Sequence, residues 1–277
     1  MRGVELALVT VLSVAMVSAL ALGEAVHRRR GHAVDERHGG FRIDLLAGAV
    51  LTLAVVMCSF MLASSWSTWA NDVRDSGAEA GAVSALFQAG SDLPARGDAQ
   101  RIGADTVCYA HAIAEDEWPL LGVGNLPSSP LVDHWRVQLE KDIRLAQTHS
   151  DVFISSVPSA DAMRSQTHSV RLVASTREPP AYLYYLLILI CCSAIFFITA
   201  FTIHAIPTRL RIPVIAVVTV LLVSTLVVVV DLSLPYNGFS KIDPGSMRQV
   251  AAASSRDYEL LWGQPQPACD QQGEPLS

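Results

Sequence analysis

The densest chemistry in this chain is a run of three carboxylates, Glu115-Asp116-Glu117. Paired carboxylates do general acid–base work or hold a divalent cation, and His111 and His134 are the nearest residues able to join them. Neighbours on a helix diverge by about 100°, however, so three in a row do not converge on one ion or one substrate atom. The expectation is a solvated acidic surface, with both histidines on polar helix faces. Cysteine chemistry is as sparse. Cys58, Cys191 and Cys192 fall inside apolar runs, where a thiol behaves as a small hydrophobe. Cys108 and Cys269 lie outside them, no CxxC or Cys/His cluster has ligand spacing, and the five cysteines make no disulfide framework. GxSxG, Walker A, HExxH and GxGxxG motifs are absent. The chain reads as a non-enzyme, with no catalytic, cofactor-binding or metal-ligating residue to nominate.

The elements that would position these residues are set by four apolar runs. Of 277 residues, 51% are hydrophobic and 17% charged, against about 25% charged in a usual soluble domain. The clearest runs form a hairpin. Ala181–Ile206 is 26 residues without Asp, Glu, Lys or Arg, and Ile212–Val230 is 19 more. Lipid offers the backbone no hydrogen bonds, so runs of roughly 20 apolar residues cross as helices. Tyr182, Tyr184 and Tyr185 sit at one end as an interfacial belt, and Arg209 and Arg211 in the turn at the other. Leu6–Gly23 and Leu45–Trp66 are the other two runs; the first is taken as a retained span rather than a cleaved signal, because His27-Arg28-Arg29-Arg30 follows at once. Asp44, Asp231 and His204 lie at span ends, within reach of the interface and unlike the deep charges of a proton relay.

The expected layout is an all-α membrane protein with two plus two transmembrane helices and a helical bundle inserted between the second and third. Its parts are a span at 4–26, a basic loop at 27–44, a span at 45–66, an acidic helical region at 67–180, a span at 181–206, a tight basic turn at 207–211 and a span at 212–234. A turn and C-terminal helix at 235–262 and a disordered tail at 263–277 complete it. Seven Arg fall in the 27–44 loop and the 207–211 turn, which makes those segments cytoplasmic by the positive-inside rule and puts both termini and residues 67–180 outside a plasma membrane crossed several times. On that side a Cys108–Cys269 bridge is possible if the compartment is oxidising. Residues 66–180 carry nine Lys/Arg against fifteen Asp/Glu, and such an acidic region excludes nucleic acid as a partner.

Apolar spacing of three and four predicts helices throughout the middle region. Trp69, Val73, Ala80, Val83 and Phe87 prolong the second span into water until Gly90 and Pro94 break it. Ile102, Thr106, Tyr109 and Ile113 mark a second helix ending near Trp118-Pro119. Ser129-Pro130 is an N-cap and first-turn pair for a third, and Ser159–Ser175 a fourth. Asp243-Pro244 starts a helix to about Leu261. The tail beyond is Gln, Pro and Gly with little to bury.

In order and spacing these pieces resemble the bestrophin-like family of bacterial integral membrane proteins of unknown function, over nearly the whole chain to about residue 260. The residues that carry the likeness are Glu79-Ala80 in the segment after the second span, Tyr109-Ala110, Glu117-Trp118-Pro119, Arg171-Leu172 and Pro235-Tyr236-Asn237-Gly238 with Pro244 beyond. Glu79, Tyr109, Glu117, Trp118, Pro119, Arg171, Pro235 and Gly238 are thus family-motif positions of unknown role. Gly81 stands where the family commonly has Asn, and Ser233, with Asp231 two residues earlier, where it commonly has Asp. The resemblance implies a likeness to bestrophins, which are pentameric anion channels with a cytosolic helical region. That placement opposes the arginine distribution, which is retained here. Two functions stay open: an oligomeric anion channel, for which Gly48, Thr52 and Ser59 offer a small, polar stripe, and a non-conducting scaffold or sensor whose acidic region binds a partner or ligand. The lipid bilayer and further copies of the chain are the expected partners.

Overall fold

A computed structural model describes residues 14, 17–19, 21–25, 43–121, 128–149, 156–176, 181–201, 208–263 and 268–276. Among these the chain is helical, with no strand beyond an isolated bridge between Cys269 and Pro275. The helices are α1 (Ile43–Ser91), α2 (Arg96–Ala112), the single turn α3 (Trp118–Leu121), α4 (Pro130–His149), α5 (Ser156–Ser175), α6 (Ala181–Phe201), α7 (Thr208–Leu232) and α8 (Gly245–Trp262). They form two compact units, residues 1–68 with 178–233 and residues 69–177 with 234–277.

In the first unit, α1 and α7 are long and apolar enough to cross a membrane, and α6 contributes a shorter apolar stretch, Leu186–Phe196. Their contact is a core of Cys58, Leu187, Cys191, Ile195, Leu222 and Leu226. Most of the remaining apolar surface is uncovered; Phe60 is 69% exposed and Val220 64%, as suits helices whose solvent is hydrocarbon. Most of the expected first span, all of the basic loop but its last two residues, and residues 202–207 fall outside the described residues. Where the first run is described it is helical, Ala19 joins the core, and a Cβ at Gly23 would collide with Thr199 of α6. The basic turn expected at 207–211 differs. Helix α7 already begins at Thr208, because Thr-Arg-Leu-Arg contains no breaker and Arg and Leu favour helix. Pro213 therefore lies inside it, in its second turn.

The second unit packs the extended end of α1, α2, α4, α5 and α8 around three apolar clusters. Ser129 caps α4 as its sequence foretold, its hydroxyl accepting from the Leu131 N–H at 3.1 Å. Helix α8 ends at Gly263, whose φ of 68° sends its N–H back to the Glu259 carbonyl. A five-residue π-helical turn, Ile113–Glu117, separates α2 from α3. Pro119 has no N–H to give the Glu115 carbonyl, and the wider turn takes up the mismatch by sending the Trp118 N–H to Ile113.

Residues 268–276 correct the expectation of a disordered tail. Cys269 is disulfide-bonded to Cys108 of α2. Asp270 accepts the Gln272 and Glu274 N–H groups at 2.9 Å. Gly273, at φ 84°, lies so close to α2 that a Cβ would be 2.7 Å from the Ala112 nitrogen, while its carbonyl accepts from the Trp135 indole at 2.6 Å. Composition suggested little to bury; one cysteine and one glycine were enough to anchor the segment.

Candidate functional site

Five of the eight family-motif residues meet in the core of the second unit. Arg171 projects from α5 and is fully buried, as is Glu79 of α1, with Glu117 of the π turn 1% exposed. The Arg171 Nε donates to Glu79 Oε2 and its Nη2 to Glu117 Oε1. A second contact joins Nη2 to Glu79 Oε1 at 3.3 Å. His168, one turn before Arg171, places Nδ1 3.0 Å from Glu79 Oε1 and 3.8 Å from Glu117 Oε1. The other Glu117 oxygen accepts from the Ser128 hydroxyl at 3.2 Å and the Ser129 N–H at 3.4 Å. One guanidinium thus ties together α1, the π turn and α5, and the start of α4 is held through Glu117.

Aromatic rings close this network from water. The Arg171 guanidinium lies 4.9 Å over the Trp118 ring, whose indole N–H donates to the Ile242 carbonyl at 3.0 Å. Tyr236 meets the same ring edge-on at 6.0 Å. Tyr109 faces His168 edge-on and receives Arg164, which is fully buried, over its ring at 4.6 Å. Pro235 and Gly238 act through the backbone: Pro235 accepts the Ile242 N–H at 2.8 Å, and Gly238 donates to the Leu234 carbonyl at 3.0 Å. That turn presents Ile242 to Trp118. Pro119 is exposed, and its part is the lost N–H that shapes the π turn.

Burial disfavours the Glu79 carboxylate, but the charge and hydrogen bonds of Arg171 and His168 outweigh it and hold its pKa below the ordinary value. Burial likewise penalises Arg171, and Glu79 and Glu117 more than compensate, so it stays charged. Tyr109 is pushed above the tyrosine range by burial, against the opposing field of Arg164. Both carboxylates are paired with Arg171 and closed to solvent. Such an arrangement clamps helices together; it presents no free acid, base or nucleophile to a substrate. Among the described residues no group of His, Cys, Asp and Glu is placed to hold a metal ion.

The Glu115-Asp116-Glu117 run is divided by the fold. Glu117 turns inward, Glu115 is exposed and pairs with Arg248 of α8 at 2.7 Å, and Asp116 accepts from the Ser129 hydroxyl. His111 binds the Ser255 hydroxyl at 3.1 Å. His168 and Arg164 were missed from sequence. Their signal was present in the spacing Arg164, His168, Arg171, which puts three polar residues on the inward stripe of an otherwise amphipathic helix.

Comparison with known proteins agrees with this architecture. A family model for the bestrophin-like domain matches residues 11–247. A bacterial Bestrophin homolog from Klebsiella pneumoniae superposes with a TM-score of 0.68 at 13% identity, covering 91% of this chain and 98% of that one. A point variant under the same description gives 0.68 and 13% over 90% and 99%. A structure described as a membrane protein gives 0.68 and 12% over 91% and 98%. No curated protein sequence matches. Fold and motif residues together define an all-helical membrane protein. The chain belongs to the bestrophin-like family.

Proposed function

We propose that this protein is a subunit of an oligomeric anion channel, built from four spans per chain, with α1 lining the conducting path. The observation that carries this reading is the face α1 leaves uncovered. Ala54 and Cys58 are buried against the rest of the first unit. Gly48, Thr52 and Ser59 share a stripe roughly a third of a turn away from them at helical spacing and are exposed, with the Thr52 and Ser59 hydroxyls returned to the helix's own carbonyls. A Cβ added at Gly48 would meet nothing within 4 Å. Small polar residues left exposed among the described residues fit a water-filled axis shared with other copies better than they fit lipid.

The acidic middle region argues less against anions than its composition suggests. Asp72, Glu79, Asp98, Asp105, Glu117 and Asp142 are all buried, against Arg164 and Arg171 alone among its described Lys and Arg residues. On α1, Asp72 and Glu79 turn inward while Arg74 stays exposed. We also place the second unit outside the cytoplasm, opposite to the cytosolic helical region of bestrophins. The Cys108–Cys269 bridge supports this, because disulfides persist in oxidising compartments, as do the cytoplasmic arginines expected in the 27–44 loop.

Halide flux into liposomes carrying the purified full chain, with oligomeric state read on the same sample, tests the channel. Anion-selective flux above protein-free liposomes, abolished by Ser59→Trp and kept by Phe60→Trp on the lipid-type face, is expected. An intact oligomer without flux in either orientation overturns it and favours the scaffold, with the second unit as the working part.

A further inference from the structure

A second set of buried titratable groups lies in the second unit, apart from the Arg171 network. Asp105 of α2 and Asp142 of α4 are each 5% exposed, and Asp142 lies close enough across the seam between the two helices to disfavour a charge on Asp105. Asp105 Oδ2 is completely buried and meets no N–H or O–H donor. Two ionised carboxylates are acceptors only and repel one another, whereas a proton on one makes it a donor to the other.

The groups around the pair do not replace that proton. Asp142 receives a long bond from Gln138 Nε2 at 3.4 Å and lies 3.8 Å from Arg101 Nε. Arg101 is committed to Asp98, its partner one turn away on α2. Asp98 also takes His149 of α4 at 3.0 Å. Lys141 of α4 is exposed and acts only through its field. From α1 and α5 the neighbouring cluster is apolar, with Leu86 and Val157 packed beside Ile102, Leu139 and Ile143.

We propose that Asp105 and Asp142 form a proton-binding site, in which one proton held between two buried carboxyl groups couples the α2–α4 seam to pH. Burial first, and then the hydrogen bond and charge of Asp142, raise the Asp105 pKa from 3.8 to about 8. Between those values the folded chain keeps a proton that the unfolded chain has released. Stability therefore falls as pH rises from about 4 to about 8 and levels off above it. In the folded protein the proton leaves near the upper value, and two like charges are then left facing each other in an apolar seam. The proposal does not depend on the channel reading, because the site lies wholly within the second unit.

Thermal unfolding of the purified full chain between about pH 5 and 9, set beside Asp105→Asn, is the test. The wild type should lose up to roughly tenfold in its folded-to-unfolded ratio per pH unit relative to the variant, up to about pH 8, and the gap should then stay constant. Infrared spectroscopy of the wild type should show a protonated-carboxyl carbonyl band at pH 6 that disappears by about pH 9. Parallel unfolding profiles, or no such band at pH 6, overturn the proposal. Should Asp105→Asn fail to fold, the infrared band in the wild type decides alone.

Discussion

Arg171 is the residue on which the second unit turns. It joins segments 92 and 54 residues away in sequence, and all its ionic partners are buried. Removing one member of such a set leaves an uncompensated charge, which costs about 3–5 kcal/mol, whereas removing all of them together is often close to neutral. Arg171→Met should therefore destabilise the protein by that amount in denaturant unfolding. The triple variant with Glu79→Gln and Glu117→Gln should recover part of it. A single variant as stable as wild type would show that the network contributes little. Pairing also holds the Glu79 pKa low, so this contribution is present above the unfolded carboxylate range and is lost as pH falls through the depressed folded value. The Asp105 pair runs the other way, which gives the second unit two opposing acid–base dependences.

At the scale of elements, α1 carries the most information. It is one helix of 49 residues, and within the second unit its exposed residues include Gly77 and Gly81, where an added Cβ meets nothing within 4 Å among the described residues. Glycine inside a helix costs about 1 kcal/mol relative to alanine, and nothing among the described residues requires it there. In the oligomeric channel proposed above, close approach by another copy would use it. Gly77→Leu with Gly81→Leu should leave the fold intact, within about 0.5 kcal/mol or slightly stabilised, yet dissociate the oligomer in native mass measurement. An oligomer that tolerates both leucines would remove this face from the interface. Gly81, the family's usual Asn, is on this reading a local change in that contact. The C-terminal segment is the other element whose role rests on few residues. Its bridge spans 161 residues of sequence, which in the chain-entropy account stabilises by on the order of 4–5 kcal/mol. Cys269→Ser should make residues 268–276 susceptible to protease before the helices are cut; simultaneous cleavage of both would contradict that order.

For the whole molecule, the proposed placement of the second unit outside the cytoplasm is read out by the state of its cysteines. Acid-quenched cells, alkylated before and after reduction, should yield Cys108 and Cys269 labelled only after reduction, and Cys58, Cys191 and Cys192 labelled without it once denatured. Cys108 found as a free thiol in intact cells would put the second unit in the cytoplasm, as in bestrophins, and remove the topology proposed here.

Much of this architecture was written locally. The Leu45–Trp66 and Ile212–Val230 runs foretold helices long and apolar enough to cross a membrane, the Trp69–Phe87 stripe foretold the extension of α1, and Ser129-Pro130 and Gly263 mark helix ends in the structure, because periodicity and capping depend on residues a turn apart. The motif residues were visible as a pattern without a role. Tertiary structure alone decided that Glu117 is buried while Glu115 faces water, that Arg164 and His168 belong with Arg171, that Asp105 faces Asp142, and that a polar tail is pinned by Cys108. Each of these depends on which distant side chain fills the space opposite. Burial turns a carboxylate into a clamp or a proton site only when that partner is in place.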